Sequence, residues 1–165
     1  MLTKYYKKLA SVSTTLNIPF DASDIKITDG STPFSVLAGL RPYSGNFISA
    51  SYGNGIVFGD SDEPESEDDY YLKGSIINGL TASAAVEKVA GSVKKNFTLT
   101  NNTSSPVTIK EVGFYAQFYF TDMAGGGNAV YIMVDRTVLD TPLTIPAGGI
   151  GQVEYTITFN YPTST

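Results

Sequence analysis

Two stretches of the chain alternate apolar and hydroxyl residues at the period of a β-strand, and this alternation constrains the fold most strongly. One covers residues 96–115, and the other covers 138–149 and continues into 152–159. Because successive side chains of a strand point to opposite faces, each stretch specifies an apolar face and a threonine-covered face. The pattern predicts an all-β fold, a β-sandwich of immunoglobulin-like or jelly-roll type with a loop-rich N-terminal arm.

The composition agrees with one domain built from strands and turns. A length of 165 residues suits a single compact unit, and only 16% of the residues are charged, against a usual share of roughly a quarter. The 16 glycines, 11 tyrosines and 9 phenylalanines point to many turns joining aromatic-rich strands.

Two regions are expected along the chain. Residues 1–55 form an N-terminal arm and loop-rich segment that begins with a short amphipathic helix over 1–16, and residues 56–165 form the β-sandwich with an acidic loop at 59–69. Strands are predicted at 25–28, 34–40, 46–51, 55–58, 70–78, 83–90, 93–100, 106–120, 129–136 and 151–160.

The inward-facing parity changes within the strand predicted over 106–120. Val107 and Ile109 are odd, whereas the apolar residues from Val112 onward are even, so a β-bulge or break is expected near Lys110 and Glu111. The predicted core consists of Phe97, Leu99, Ile109, Phe114, Phe118, Val153, Tyr155 and Ile157.

The acidic loop holds most of the charge imbalance. Seven of the sixteen acidic residues lie within 60–69, so the rest of the chain is close to neutral despite a net charge of −5. Seven like charges predict an exposed, mobile loop that is solvated or faces a partner. The alternative is that the loop binds Ca²⁺, which takes roughly six to eight oxygen ligands. Pro64 argues against this alternative, because it does not fit an EF-hand loop. We therefore expect no metal site.

Catalysis and cofactor binding find no support in the residues. The chain has no His, no Cys and no Trp, which removes the commonest general base and the strong soft-metal ligands. No Gly-x-Ser-x-Gly elbow or Ser-x-x-Lys pattern occurs. We expect no catalytic or cofactor-binding residues and no enzyme activity. Asp135, Arg136 and Asp140 are expected to form an exposed ion-pair group.

Nucleic acid and membrane are not expected as partners. Lys4, Lys7 and Lys8 are too few for a nucleic-acid footprint, and no run of about 18 apolar residues is present. The N-terminus lacks the continuous apolar region of a signal peptide, so a soluble chain made in the cytoplasm is expected.

Aromatic residues on both faces of one strand indicate contacts beyond a single core. Tyr115, Gln117 and Tyr119 lie opposite the predicted inward face, and the arm carries further apolar side chains. Symmetric oligomers commonly absorb such surface. The predicted contact residues are Tyr5, Tyr6, Leu9, Tyr115, Gln117 and Tyr119.

Three segments carry a resemblance to a known class of proteins. They are the Asn-Phe-Thr-Leu-Thr-Asn and Val-Thr-Ile-Lys-Glu-Val-Gly-Phe-Tyr runs within 96–115, the Thr-Val-Leu-Asp-Thr-Pro-Leu-Thr-Ile-Pro-Ala-Gly-Gly run at 137–149 with Val-Glu-Tyr-Thr-Ile after it, and the acidic link at 59–72. Together they resemble β-sandwich structural proteins of tailed-bacteriophage virions.

The resemblance implies a non-enzymatic structural subunit, such as a capsid auxiliary or decoration protein or a neck or tail component. Its partners would be other virion proteins and copies of itself in a homo-oligomer, and its location would be the virion, assembled in the host cytoplasm. The alternative is a carbohydrate- or surface-binding β-sandwich module like those of adhesins, which would use exposed tyrosines as stacking platforms.

Overall fold

The computed structural model describes the backbone of most residues from 55 to 158 and of short segments before them. The described residues are 20–21, 36–37, 39–42, 55–89, 92–121 and 127–158, with side chains described for 55–83, 85, 94–115 and 131–156. Of the predictions for the first 55 residues, the helix over 1–16 and the strands at 25–28 and 46–51 lie outside this part.

Every regular element in the described part is a β-strand. The nine strands found there are β1 (Phe20–Asp21), β2 (Val36–Leu37), β3 (Gly39–Pro42), β4 (Gly55–Gly59), β5 (Leu80–Val89), β6 (Ser92–Asn101), β7 (Val107–Thr121), β8 (Gly127–Ile145) and β9 (Ile150–Thr158). The described residues include no helix that could span a membrane. The all-β fold class with antiparallel sheets is therefore confirmed for this part.

Most strands of the second half match the alternation in the sequence. The segments predicted at 55–58, 83–90, 93–100, 106–120 and 151–160 are confirmed as β4, β5, β6, β7 and β9, with ends shifted by a few residues. The segment predicted at 34–40 contains β2 and the start of β3, and β8 runs well beyond the predicted 129–136.

The strand predicted over 70–78 is wrong. This segment makes one isolated bridge, between Ile76 and Gly59, and the Ile77 N–H donates to the Phe58 carbonyl at 2.9 Å. The apolar residues of this segment contribute to side-chain packing and do not pair in a β-ladder. Leu72 is 1% exposed and belongs to a buried cluster with Val57, Tyr115 and Met133.

The chain divides into two compact units. The first comprises residues 1–77 and 109–142, and the second comprises residues 78–108 and 143–165. The predicted boundary between residues 55 and 56 stays a prediction.

The sheet of the first unit is arranged around β7. Antiparallel β4 pairs with it from Gly55 opposite Tyr115 to Gly59 opposite Glu111, and antiparallel β3 pairs with its end, from Gly39 opposite Thr121. β8 also pairs with β7, and β1 and β2 form a separate two-residue antiparallel pair.

The sheet of the second unit has the order β5-β6-β9 and is antiparallel throughout. β5 pairs with β6 at ten consecutive positions and β6 pairs with β9 at nine. Burial alternates along β6, where Phe97 and Leu99 are buried, Thr98 between them is half-buried, and Asn96 before them is exposed. The threonine-covered outer face expected from the sequence is thus present on this sheet.

Five of the eight predicted core side chains are confirmed as buried, namely Phe97, Leu99, Ile109, Val153 and Tyr155. The side chains of Phe118 and Ile157 lie outside the described part. Phe114 is a correction, because it is only half-buried, whereas Tyr115 beside it is fully buried at 0% exposure.

Of the bulge or break predicted near Lys110 and Glu111, the break is wrong, and no bulge occurs where β7 pairs with β4. β7 is continuous, and its register with β4 proceeds without a skip from Glu111 to Tyr115. The odd residues Ile109, Glu111 and Tyr115 are all buried, and so is the even residue Val112, so burial covers both faces of β7 here. Charged residues usually avoid burial, and Glu111 is buried because Arg136 compensates its charge.

Candidate functional site

The most organised polar site in the described residues is a buried charge network in the first unit. Arg136 of β8 donates from Nε to Glu111 Oε2 of β7 at 2.7 Å and from Nη1 to Asp69 Oδ2 at 3.0 Å. Their side chains are 1%, 0% and 1% exposed, respectively. A planar guanidinium suits this role because its N–H groups reach several acceptors at fixed angles.

The same guanidinium holds the backbone of the acidic loop. Arg136 Nη2 donates to the Glu63 carbonyl at 2.8 Å, and Nη1 donates to the Pro64 carbonyl at 3.2 Å. Burial by itself lowers the pKa of Arg136, but the hydrogen bonds and charges of Glu111 and Asp69 outweigh burial and raise it. Arg136 is therefore a permanent cation that joins two strands and a loop.

Glu111 receives a second set of donors from the chain after the loop. The Gly74 N–H donates to Oε1 at 2.7 Å, and the Lys73 N–H donates to Oε2 at 3.2 Å. Gly59, opposite Glu111 in the register, leaves the space for this carboxylate, since a Cβ atom there would lie 2.5 Å from Oε1. Three segments therefore meet at one buried carboxylate.

Asp69 completes the network. Its Oδ2 also accepts from the Ser66 N–H at 2.8 Å, and its Oδ1 lies 3.1 Å from Lys73 Nζ, as an ion pair without hydrogen-bond geometry. Burial lowers the pKa of Lys73, but the ion pair with Asp69 outweighs burial, so the pKa is raised. The ammonium also lies 4.8 Å from the centre of the Tyr71 ring.

The two buried carboxylates are balanced by two cations, and the protein's own donors bind both carboxylates. The described residues contain no group of three or more His, Cys, Asp or Glu side chains that could hold a metal ion. What the arrangement does chemically is fix segment 63–74 onto β7 and β8.

Three further contacts hold the acidic loop, which corrects its predicted mobility. Asp60 Oδ1 accepts from the Ser75 N–H at 2.7 Å, and Asp62 pairs with Lys110 at 3.1 Å. Glu65 Oε1 accepts from the Val138 N–H of β8 at 2.9 Å.

The predicted exposure of the loop is confirmed for five acids and wrong for Asp69. The exposed acids are Asp60, Asp62, Glu63, Glu67 and Asp68. The surface ion-pair group of Asp135, Arg136 and Asp140 is also wrong, because Arg136 turns inward to Glu111 and Asp69. Asp135 instead accepts a hydrogen bond from the Thr137 hydroxyl at 3.2 Å.

Tyr115 anchors the loop on its apolar side. Its hydroxyl accepts from the Leu72 N–H at 2.9 Å, and its ring packs with Leu72, Val57 and Met133. Gly113 permits this packing, because a Cβ atom there would lie 2.9 Å from Leu72 Cδ2. Residues 63–74 are thus held by a charge network and by an apolar cluster.

This placement removes Tyr115 from the predicted subunit-contact residues, since a ring with 0% exposure is enclosed by its own chain. The strand is covered on a second face as expected, but the cover is residue 72 of the same chain. Gln117 and Tyr119 are described only as backbone of β7, and Tyr5, Tyr6 and Leu9 lie outside the described residues. For these five the contact role stays a prediction.

Asn101 is a second buried polar centre, in the other unit, and it is 0% exposed. Its Nδ2 donates to the carbonyls of Ser105 at 2.8 Å, Pro146 at 3.0 Å and Ile145 at 3.1 Å. Its Oδ1 accepts from the N–H and the hydroxyl of Thr103 at 2.9 and 2.7 Å. One amide thereby fixes two turns.

The backbone groups of Asn101 also form hydrogen bonds to one of these turns. Its N–H donates to the Gly149 carbonyl at 3.0 Å, and its carbonyl accepts from the Gly148 N–H at 2.9 Å. Gly148 has a φ of +68°, a left-handed conformation that glycine adopts without steric cost. Residues 101–106 and 146–149 are the two turns that Asn101 holds together.

Lys95 is the buried ionisable group of the second sheet. It lies on the same face of β6 as Phe97 and Leu99 and is 8% exposed. Burial lowers the pKa of Lys95 to about 8. A lysine at such a position costs stability while it stays charged.

The sequence contained signals for these centres that were not recognised. Glu111 and Arg136 each stand within a strand of mainly uncharged residues, and opposite charges in adjacent strands are candidates for a buried pair. Asn101 opens an Asn-Asn-Thr-Ser-Ser-Pro turn, where an amide side chain commonly satisfies turn backbone groups.

Comparison of the chain with protein-family models, with curated proteins and with solved structures finds no match.

Proposed function

We propose that this chain is a non-enzymatic structural subunit of a bacteriophage virion, as a capsid auxiliary or decoration protein or as a neck or tail component. It acts through contacts with other virion proteins and with copies of itself, and is assembled into particles in the host cytoplasm. A β-sandwich of immunoglobulin-like or jelly-roll type is part of this proposal.

One observation carries the proposal beyond the resemblance in the sequence. The buried polar side chains with described partners serve to hold loops and strands: Arg136, Glu111 and Asp69 tie down residues 63–74, and Asn101 ties two turns. Buried charged and amide side chains that fix the shape of loops are suited to a rigid structural subunit whose loops need one conformation.

A second candidate is a carbohydrate- or surface-binding module, and one feature favours it. A concavity of about 360 Å³ on the second sheet is lined by Asn96, Phe97, Thr98, Gln152, Val153 and Glu154. Amide, hydroxyl and carboxylate groups can bind sugar hydroxyls. Phe97 is its one aromatic lining residue and is 1% exposed, so it offers no stacking platform, and this candidate is the weaker one.

Purified particles from cells that encode the chain provide the test. The particles are separated on a density gradient, and the chain is quantified by mass spectrometry against a known virion protein. The proposal expects the chain to follow the particles at many copies each. A chain found only in the soluble fraction refutes it, and selective retention on a glycan array would favour the binding module.

A further inference from the structure

The β5 strand forms one side of the second unit's sheet. It spans ten residues, Leu80–Val89, and pairs with β6 at each of them without a bulge. In the part of the chain with described backbone, β6 is the one strand that pairs with β5. The backbone groups on the other side of β5 therefore have no strand partner there. A row of N–H and C=O groups recognises another extended strand.

Other strand edges in the described part of the chain carry protection that is not seen there for residues 80–86 of β5. The Val138 N–H of β8 is capped by the Glu65 carboxylate at 2.9 Å, and β4 is covered by its bridge to Ile76. β9 carries the exposed Glu154 at its middle. In contrast, residues 80–86 of β5 contain no charge and no proline. Charges, prolines and bulges are the usual devices that prevent pairing at an edge.

We propose that β5 pairs with β5 of a second copy of this chain, in antiparallel register across a two-fold axis. The two three-stranded sheets then join into one six-stranded sheet. An antiparallel edge is self-complementary, and two-fold dimers are the commonest symmetric assembly. About eight interchain hydrogen bonds form over nine paired residues. The inference rests on the proposed function and deepens it, because it names the surface through which a structural subunit meets its copy.

The charges of β5 permit pairing with a second copy in a register centred on Ala84. Pairing centred on Ala84 places Ser83 opposite Ala85, Thr81 opposite Glu87 and Leu80 opposite Lys88, so no like charges face each other. The exposed side chains Thr81, Ser83 and Ala85 are small, which permits close approach. The same symmetric pairing centred on Glu154 of β9 would place two carboxylates opposite each other.

The register supplies a matched pair of variants. Ser83→Glu with Ala85→Glu sets carboxylates against carboxylates across the two-fold axis, whereas Ser83→Glu with Ala85→Lys sets each carboxylate against an ammonium group. Both positions are exposed in the single chain, so at concentrations too low for dimers the circular dichroism and melting temperature should match those of the unsubstituted protein.

Sedimentation equilibrium of the full chain measures the dimer dissociation constant. We expect a dimer for the unsubstituted protein, a dissociation constant at least roughly tenfold higher for the Glu/Glu variant, and recovery in the Glu/Lys variant. Amide hydrogen exchange over 80–88 should slow as protein concentration rises.

Three results overturn the inference. They are equal association of both variants, assemblies larger than dimers that indicate pairing of β5 with another edge, and a monomer whose β5 amides are protected at every concentration. The last result would identify a segment of the same chain as the partner that covers β5.

The failure of this inference and the failure of the proposed function can be distinguished. A β5 dimer that is absent from particles refutes the proposed function alone, while a particle protein insensitive to both variants refutes this inference alone.

Discussion

Replacing Arg136 by Met shows most directly what the buried network contributes. Met keeps much of the apolar stem but removes four hydrogen bonds, two to carboxylates and two to loop carbonyls. Glu111 and Asp69 then stay buried without their main cation. Breaking a buried ion pair in this way costs about 3–5 kcal/mol. Because Glu111 retains the Lys73 and Gly74 amides, we expect about 4 kcal/mol.

Urea unfolding followed by circular dichroism provides the assay. With a slope of roughly 2 kcal/mol/M for a chain of this size, the midpoint should fall by about 2 M. Asp140→Asn is the matched control, since Asp140 is exposed on the same strand and its loss should change stability by less than about 0.5 kcal/mol.

A double-mutant cycle separates the ion pair from general damage. Arg136→Met combined with Glu111→Gln should cost less than the sum of the two single changes, with a coupling energy of about 1–3 kcal/mol. Additive effects, or a loss below about 1 kcal/mol for Arg136→Met, would refute the argument that this network holds the loop.

Three further predictions concern other buried polar groups. Asn101→Asp should cost about 3 kcal/mol or more in urea unfolding, because its carboxylate would face three carbonyl oxygens. Asn102→Asp loses exposed hydrogen bonds to the Thr81 hydroxyl and the Thr100 carbonyl and should cost less than about 1 kcal/mol. Tyr115→Phe should cost about 1–2 kcal/mol and speed hydrogen exchange at Leu72, whose N–H loses its acceptor; unchanged exchange would contradict this. Since burial lowers the pKa of Lys95 to about 8 from 10.5, the unfolded chain binds more protons between these values. Stability should therefore rise with pH across that window by about 2–3 kcal/mol, and a Lys95→Met variant that keeps the full rise would count against this assignment.

The strands of the second half could be predicted because period-two alternation reports directly on burial. Phe97, Leu99, Val153 and Tyr155 occupy the apolar parity of β6 and β9, and all four are buried. The same rule failed in β7, where the aromatic run after Val112 suggested the opposite parity.

The failure in β7 has a definite physical cause. Residue type places a glutamate outside, but Glu111 is buried because Arg136, 25 residues later in the sequence, is brought beside it. Compensation of this kind depends on strand pairing and is not visible in a single segment. Once Glu111 is placed inward, Tyr115 follows on the same face.

The acidic loop was misjudged for a related reason. Repulsion among seven carboxylates predicts mobility only if each remains solvated. Asp60 and Glu65 instead accept backbone N–H groups, and Asp69 binds Arg136. The sequence shows that the loop carries like charges. It does not show which donors bind the carboxylates, because those donors lie elsewhere in the chain.

Imaging of intact particles tests the central claim most directly. Electron cryo-microscopy of particles from cells that encode the chain should reveal density for antiparallel sheets in the order β5-β6-β9 and around β7, repeated by the symmetry of the head, neck or tail. The account predicts that the sequence fits this density with Arg136, Glu111 and Asp69 enclosed in each copy. Particles in which every density feature is assigned to other chains would contradict it.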